Sequence, residues 1–146
     1  MKISIDIDNT KQDTEILISC HSLTPEIEKI IATLRMLNQQ LMVEKEQETY
    51  ILDITKIIYI EAVDRKTFVY TKEDCFESKL KLYEIEERLE ECGFFRASKS
   101  CLVQLRHIRS LKNDMDRKLR LTMETGEQLI VSRQYADELK RKLGVK

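Results

Sequence analysis

Glycine, proline and tryptophan are scarce in this chain, which has three, one and none of them in 146 residues. So few glycines argue against a backbone cradle for phosphates. No GxGxxG, GxxxxGKS or GxSxG stretch occurs. A glutamate-rich segment at residues 84–91 has the spacing of a solvent-facing helix side, not of paired catalytic carboxylates. The chain is therefore expected not to be an enzyme, with no small-molecule substrate and no cofactor. The cysteines Cys20, Cys75, Cys92 and Cys101 include no CxxC pair, and His21 and His107 complete no ligand set, so no metal is expected. These thiols are expected to pack mostly as small apolar groups. A competing reading gives Cys101, near Lys99 and Arg106, a lowered pKa and a redox role. No apolar run nears the ~18–20 residues of a membrane span, and Asp6 and Asp8 interrupt any leader-like start. A cytoplasmic location is expected.

What is present is the composition of a folded protein. At 42% apolar and 35% charged, the chain can bury a core and keep a polar surface. Its length suits one domain with a small appendage. The net charge of −1 conceals a division, because bases outnumber acids 13 to 6 in residues 92–146 and acids prevail before that. Such segregation gives the fold a basic region suited to a polyanion. Within it, Phe94–Leu111 (FFRASKSCLVQLRHIRSL) holds no acid at all.

Residues 1–38 are predicted to form a β-β-α unit. Ile3, Ile5 and Ile7 alternate with Ser4, Asp6 and Asp8, Glu15–Cys20 reads as the returning strand, and Thr24-Pro25 opens a helix. This unit is too small to stand alone and is expected to dock on the rest or on a second copy. Residues 39–146 read as a second domain made mostly of strands. Hairpins are predicted at 41–53 and 57–72, with a further strand at 75–79. A short helix carries Leu82, Ile85, Leu89 and Cys92 inward and Glu84, Glu86, Glu87, Glu90 and Glu91 outward, with Gly93 as its stop. Strands at 108–112, 117–123 and 128–131 precede a last helix capped by Ser132, with Tyr135, Leu139 and Leu143 inward. The expected class is mainly β (α+β).

Three groups of polar and basic residues can face a polyanion. Arg65, Lys66 and Thr67 lie at a predicted hairpin tip. Arg96, Lys99 and Ser100 can donate to phosphates, while Phe94, Phe95, Leu102, Val103 and Leu105 root their segment in a core. Ser132, Arg133 and Gln134 open a helix, where backbone amides attract phosphate and an arginine can bond a guanine edge.

The order IIYIEA…KTFVYT, then FFRASKSCLVQLRHI, then IVSRQY resembles the LytTR family of bacterial DNA-binding domains over about residues 40–145. The resemblance implies an elongated antiparallel β fold with short helices. It implies double-stranded DNA as partner, bound through loops that enter successive major grooves from one side. It puts one groove contact on Arg65–Thr67 and the other on Arg133, with Lys99 and Ser100 between them. The chain departs from the family's usual residues at Ser98, where histidine is common, and at Gln104, where asparagine is common. Thirty-eight residues are too few for the receiver domain that precedes most members, so the chain resembles the small standalone regulators. Their signal can arrive through abundance, dimerisation or a partner membrane protein. A homodimer on paired or repeated sites is expected, since one such domain makes few base contacts. An alternative from the N-terminal unit is a protein-interaction or anti-activator module with weak or no DNA binding.

Overall fold

The computed structural model describes residues 1–37, 39–89 and 92–145. Helix α1 (Pro25–Leu37) comes first, followed by strands β1 (Gln40–Lys45), β2 (Glu48–Asp53), β3 (Ile57–Val63), β4 (Lys66–Thr71) and β5 (Cys75–Ser78). Helix α2 (Leu82–Arg88) then leads into β6 (Phe94–Ser98), β7 (Cys101–Gln104), β8 (Ile108–Asn113), β9 (Leu119–Met123) and β10 (Gln128–Val131). Helix α3 (Arg133–Lys142) closes the order. Seven strands form one sheet in the order β2-β1-β5-β4-β3-β7-β6, and three form another in the order β10-β9-β8. The strand pairs are antiparallel, for example β3 with β4 and with β7.

The middle of the large sheet is buried on both faces. β3 and β7 therefore feed both cores, Ile57, Ile60 and Leu102 on one side and Ile58, Tyr59, Cys101 and Val103 on the other, which is why IIYI and CLV are unbroken apolar runs and not alternations. Val103, Phe95 and Ala97 pack with Leu119, Leu121, Met123 and Leu139, joining the small sheet and α3 to one face. Leu102, Ile60 and Val69 pack with Leu82, Ile85 and Leu89 of the α2 segment on the other. His107 ties the sheets at one end, its Nε2 lying 2.6 Å from the Thr55 carbonyl oxygen and its Nδ1 2.9 Å from Glu124 Oε2.

Scarce glycine leaves the hairpin tips to other residues. Glu46-Gln47 and Asp64-Arg65 take φ values of 51° and 68°, and 51° and 65°. Two successive positive φ angles match the twist of a two-residue hairpin, at a steric cost that glycine would avoid. Gly93 does occupy such a position, at φ 85°, and a Cβ there would lie 2.6 Å from Gln104 Oε1. Gln104 is fully buried, and its Nε2 donates to the Ile54 carbonyl at 3.4 Å. Gly93→Ala is therefore expected to cost about 1–2 kcal/mol, read as a lower urea midpoint with unchanged slope. An unchanged midpoint would show that Gln104 and the backbone move aside freely.

The N-terminal expectation needs correction. The first strand among the described residues is Gln40–Lys45, and neither Met1–Asp8 nor Glu15–Cys20 is paired. Their isoleucines stand largely in solvent, and none of the described strands pairs with either segment. The helix is as expected: Thr24 Oγ1 accepts from the Ile27 N–H at 3.3 Å, and Ile27, Ile30, Ile31 and Leu34 are half-buried along one side. Asn38, the last residue of that unit, and Glu90 and Glu91 of the acidic helix side lie outside the described residues.

Candidate nucleic-acid interface

The Lys99-Ser100 turn between β6 and β7 organises the site. Arg96 supports it from within, its Nε donating to the Ser98 carbonyl at 2.9 Å and its Nη2 to the Lys99 carbonyl at 2.8 Å. The same guanidinium lies 3.5 Å from Glu86 Oε2 of α2, a long ion pair. With those commitments and a largely covered side chain, Arg96 braces the turn and is not a head group offered to a ligand. This corrects its expected role. Ser98 Oγ accepts the Ser100 N–H at 3.3 Å and tightens the turn further.

Two backbone hydrogen bonds fasten the flanking segments to this turn. The Ala62 N–H donates to the Ser100 carbonyl at 2.8 Å, close to the Asp64-Arg65 tip. The Ser132 N–H donates to the Ala97 carbonyl at 2.9 Å, at the mouth of α3. Segments that lie 38 residues before and 35 residues after their bonding partners are thus held in fixed relation to the turn.

At the tip, Arg65 and Lys66 are exposed, but Thr67 is not. Thr67 is only 5% exposed, pairs with Ala62 and Ser78, and shares its face with buried Val69. The two-residue turn starts the inward phase of β4 one residue earlier than a longer loop would, so Thr67 is a packing residue. Arg65→Gly is expected to leave the fold neutral or up to about 1 kcal/mol more stable, because glycine takes φ 65° without strain. A clear loss of stability would mean that the Arg65 side chain supports the tip.

Arg133 and Gln134 are exposed in the first turn of α3. Ser132 stands at the N-cap, yet its side chain makes no cap bond, and its buried Oγ has no hydrogen-bond partner. The expected side-chain cap is therefore not made. The helix starts instead from the Ser132 carbonyl, which accepts from the Tyr135 and Ala136 N–H groups, both at 3.0 Å. A broad cleft of about 740 Å³ runs between Ser98–Ser100 and Ser132–Gln134. Asp116 and Lys118 line it as well. Both come from the β8–β9 tip, where Asp116 and Arg117 have φ 58° and 62°. Asp114 holds that tip by accepting the Met115 N–H at 2.8 Å and pairing with Arg120 at 3.0 Å. Those two interactions keep its carboxyl below the ordinary aspartate range. Sequence reading missed Asp116 and Lys118; the only signal was the basic composition of this hairpin.

Cys101 does not fit a redox sensor. Burial pushes its thiol up to about 12, against the weaker effect of Arg96. Cys20 and Cys75 are exposed, contrary to the expectation that most thiols are packed away, and Cys92 is half-buried. Iodoacetamide at about pH 8 is expected to label Cys20 and Cys75 and to spare Cys101, since only thiolates react at appreciable rates. Rapid labelling of Cys101 in the folded protein, followed by mass spectrometry, would restore the redox reading.

This is a β scaffold that presents loops, with a cleft between a turn and a helix start. The family description LytTr DNA-binding domain matches residues 47–144, and the chain belongs to that family. A solved LytTr DNA-binding domain from Bacillus cereus is similar in fold, with a TM-score of 0.68 and 29% identity over 73% of this chain and 97% of that one. An uncharacterised HTH-type transcriptional regulator of Staphylococcus aureus (strain NCTC 8325 / PS 47) is 24% identical over 99% of both chains. The sensory transduction protein LytT of Bacillus cereus is 29% identical over 68% of this chain and 41% of its own length. Despite the first relative's name, α1, α2 and α3 are each separated by strands, so the described residues contain no helix-turn-helix. Nor is any described helix long and apolar enough to cross a membrane.

Proposed function

We propose that this protein is a sequence-specific transcriptional regulator that grips one side of double-stranded DNA with three loops. The Arg65-Lys66 tip enters one major groove and Arg133, with Gln134, enters the next. Lys99, Ser100 and Lys118 hold the phosphates between them. The observation that carries this reading is the pair of backbone bonds that fix the Ala62 and Ser132 segments to the Lys99 turn. Rigid spacing is what loop readers need, because a loose base contact loses its discrimination. Two copies on paired or repeated sites would supply the base contacts that one copy lacks.

Selection from random DNA at two salt concentrations tests the reading, and no enriched sequence at either would reject it. Arg133→Ala is expected to cost about 1–3 kcal/mol on the selected site and to relax preference at one base pair. Lys99→Ala is expected to weaken selected and unrelated DNA by similar factors, since phosphate contacts carry no sequence information. If both variants bind like wild type, the cleft is not the reading surface.

A further inference from the structure

We propose that Met1–Asp8 is a dimerisation strand that pairs antiparallel with the same strand of a second copy, about a two-fold axis at Ile5. This gives a physical contact to the dimer in the proposed function, though it does not depend on DNA binding. Ile3, Ile5 and Ile7 are 79%, 84% and 86% exposed, and they alternate with Ser4, Asp6 and Asp8. Alternation of this kind suits a strand with one buried face, yet among the described residues no strand pairs with it.

The segment is complementary to itself. Centred on Ile5, antiparallel pairing sets Ile5 against Ile5, Ile3 against Ile7 and Lys2 against Asp8, with Ser4 facing Asp6. The dimer thus has one opposite-charge pair at each end of the strands and an apolar row between them. Opposite charges directly across a strand pair are favourable, and like charges are not. A one-residue slip would set isoleucines against polar residues and turn the apolar row to the wrong face. The strand also has a built end, because Asp8 Oδ1 accepts the Thr10 N–H at 2.9 Å and its hydroxyl at 2.7 Å, turning the chain away.

The available area fits a second copy. Ile16 and Ile18 of the following segment are 65% and 38% exposed. An aliphatic side chain of this size hides roughly 100 Å² when buried, so these five residues, at their present exposure, offer roughly 700 Å² from two copies before backbone is counted, the scale of a modest contact. The half-buried side of α1, with Ile27, Ile30, Ile31 and Leu34, follows directly in the chain and is an apolar surface for such a sheet to rest on. An isologous contact also closes on itself, so this pairing ends at a dimer.

Light scattering after size exclusion tests this at about 50 µM chain, a concentration that populates any contact of micromolar strength. Wild type is expected to show a two-chain mass. Ile5→Asp is expected to show a single-chain mass, with unchanged circular dichroism, because Ile5 touches no core in the single chain. The register has its own test. In a Cys20→Ser, Cys75→Ser background, Ile5→Cys is expected to form a covalent dimer with diamide, since paired strands bring the two positions within disulfide reach. Ser4→Cys, which faces Asp6 of the other copy, is expected to link far less. A monomeric wild type, a dimeric Ile5→Asp, or equal linking at both positions overturns the proposal. Binding to a single half-site is expected to stay within about twofold in Ile5→Asp. Dimer results as expected with no DNA binding by either protein would uphold this contact and reject the DNA reading.

Discussion

Raising monovalent salt from 50 to 200 mM is expected to weaken binding to a single DNA site by about 500-fold. The basis is a count of cations around the cleft. Arg65, Lys66, Lys99, Lys118 and Arg133 are all exposed; the segments of Arg65 and Arg133 are tied to the Lys99 turn, and Lys118 lines the same cleft as Lys99 and Arg133. If each displaces one condensed counterion, the slope of log affinity against log salt is about −4.5, and a fourfold rise in salt spans about 2.7 decades. Asp116 shares the cleft and works against phosphate, so Asp116→Asn is expected to strengthen binding at low salt. Titration by fluorescence anisotropy at four salt concentrations measures the slope. A value shallower than about −2 would leave too few phosphate contacts for the proposed grip.

Leu139→Ala is expected to cost about 2–5 kcal/mol of folding stability, the largest effect of any single substitution proposed for this chain. Leu139 is 0% exposed and packs among Phe95, Val103, Leu121 and Met123. Its neighbours belong to two sheets, so they cannot close around the missing methyl groups without moving both. Urea unfolding gives the number, and for a chain of this size the melting midpoint should fall by roughly 10 °C. Asp137→Ala, on the exposed side of the same helix, is the control, with an expected change within about 0.5 kcal/mol. A loss below about 1 kcal/mol for Leu139→Ala would mean that α3 is not part of the cooperative core. The Arg133 position would then lack the rigid base that base reading needs.

Most strands and turns were legible because their signals are local. The alternation in Leu119–Met123, the Asn113–Asp116 turn and the 3.6-residue spacing of Tyr135 and Leu139 each concern a few neighbouring residues. Charge segregation marked the basic end of the chain. Resemblance to LytTR domains then selected which basic residues are proposed to face DNA, and composition alone would not have ranked them.

The misses share one cause. Thr67 is buried because a two-residue turn sets the phase of β4, and turn length is decided by pairing with β3. Arg96 is spent on two carbonyls that face it only because the β6–β7 register shifts between Arg96 and Ser98. Asp116 and Lys118 reach the cleft from a hairpin far from Lys99 in the chain, so no short motif contains them. Met1–Asp8 has the pattern of a strand, but it pairs with none of the described strands.

Read alone, the amino-acid order was enough to identify a non-repeating, strand-rich fold with a basic C-terminal portion, a last helix that starts just after Ser132, and a loop-borne basic surface. Those properties follow from side-chain periodicity, capping and charge, which act over one or two turns of chain. Three-dimensional packing was needed to separate residues that face outward from residues that brace, and to bring Lys118 beside Arg133. Hydrogen bonds such as Ser132 N–H to Ala97 carbonyl join positions 35 residues apart, and such bonds exist only once the two sheets have closed on a common core.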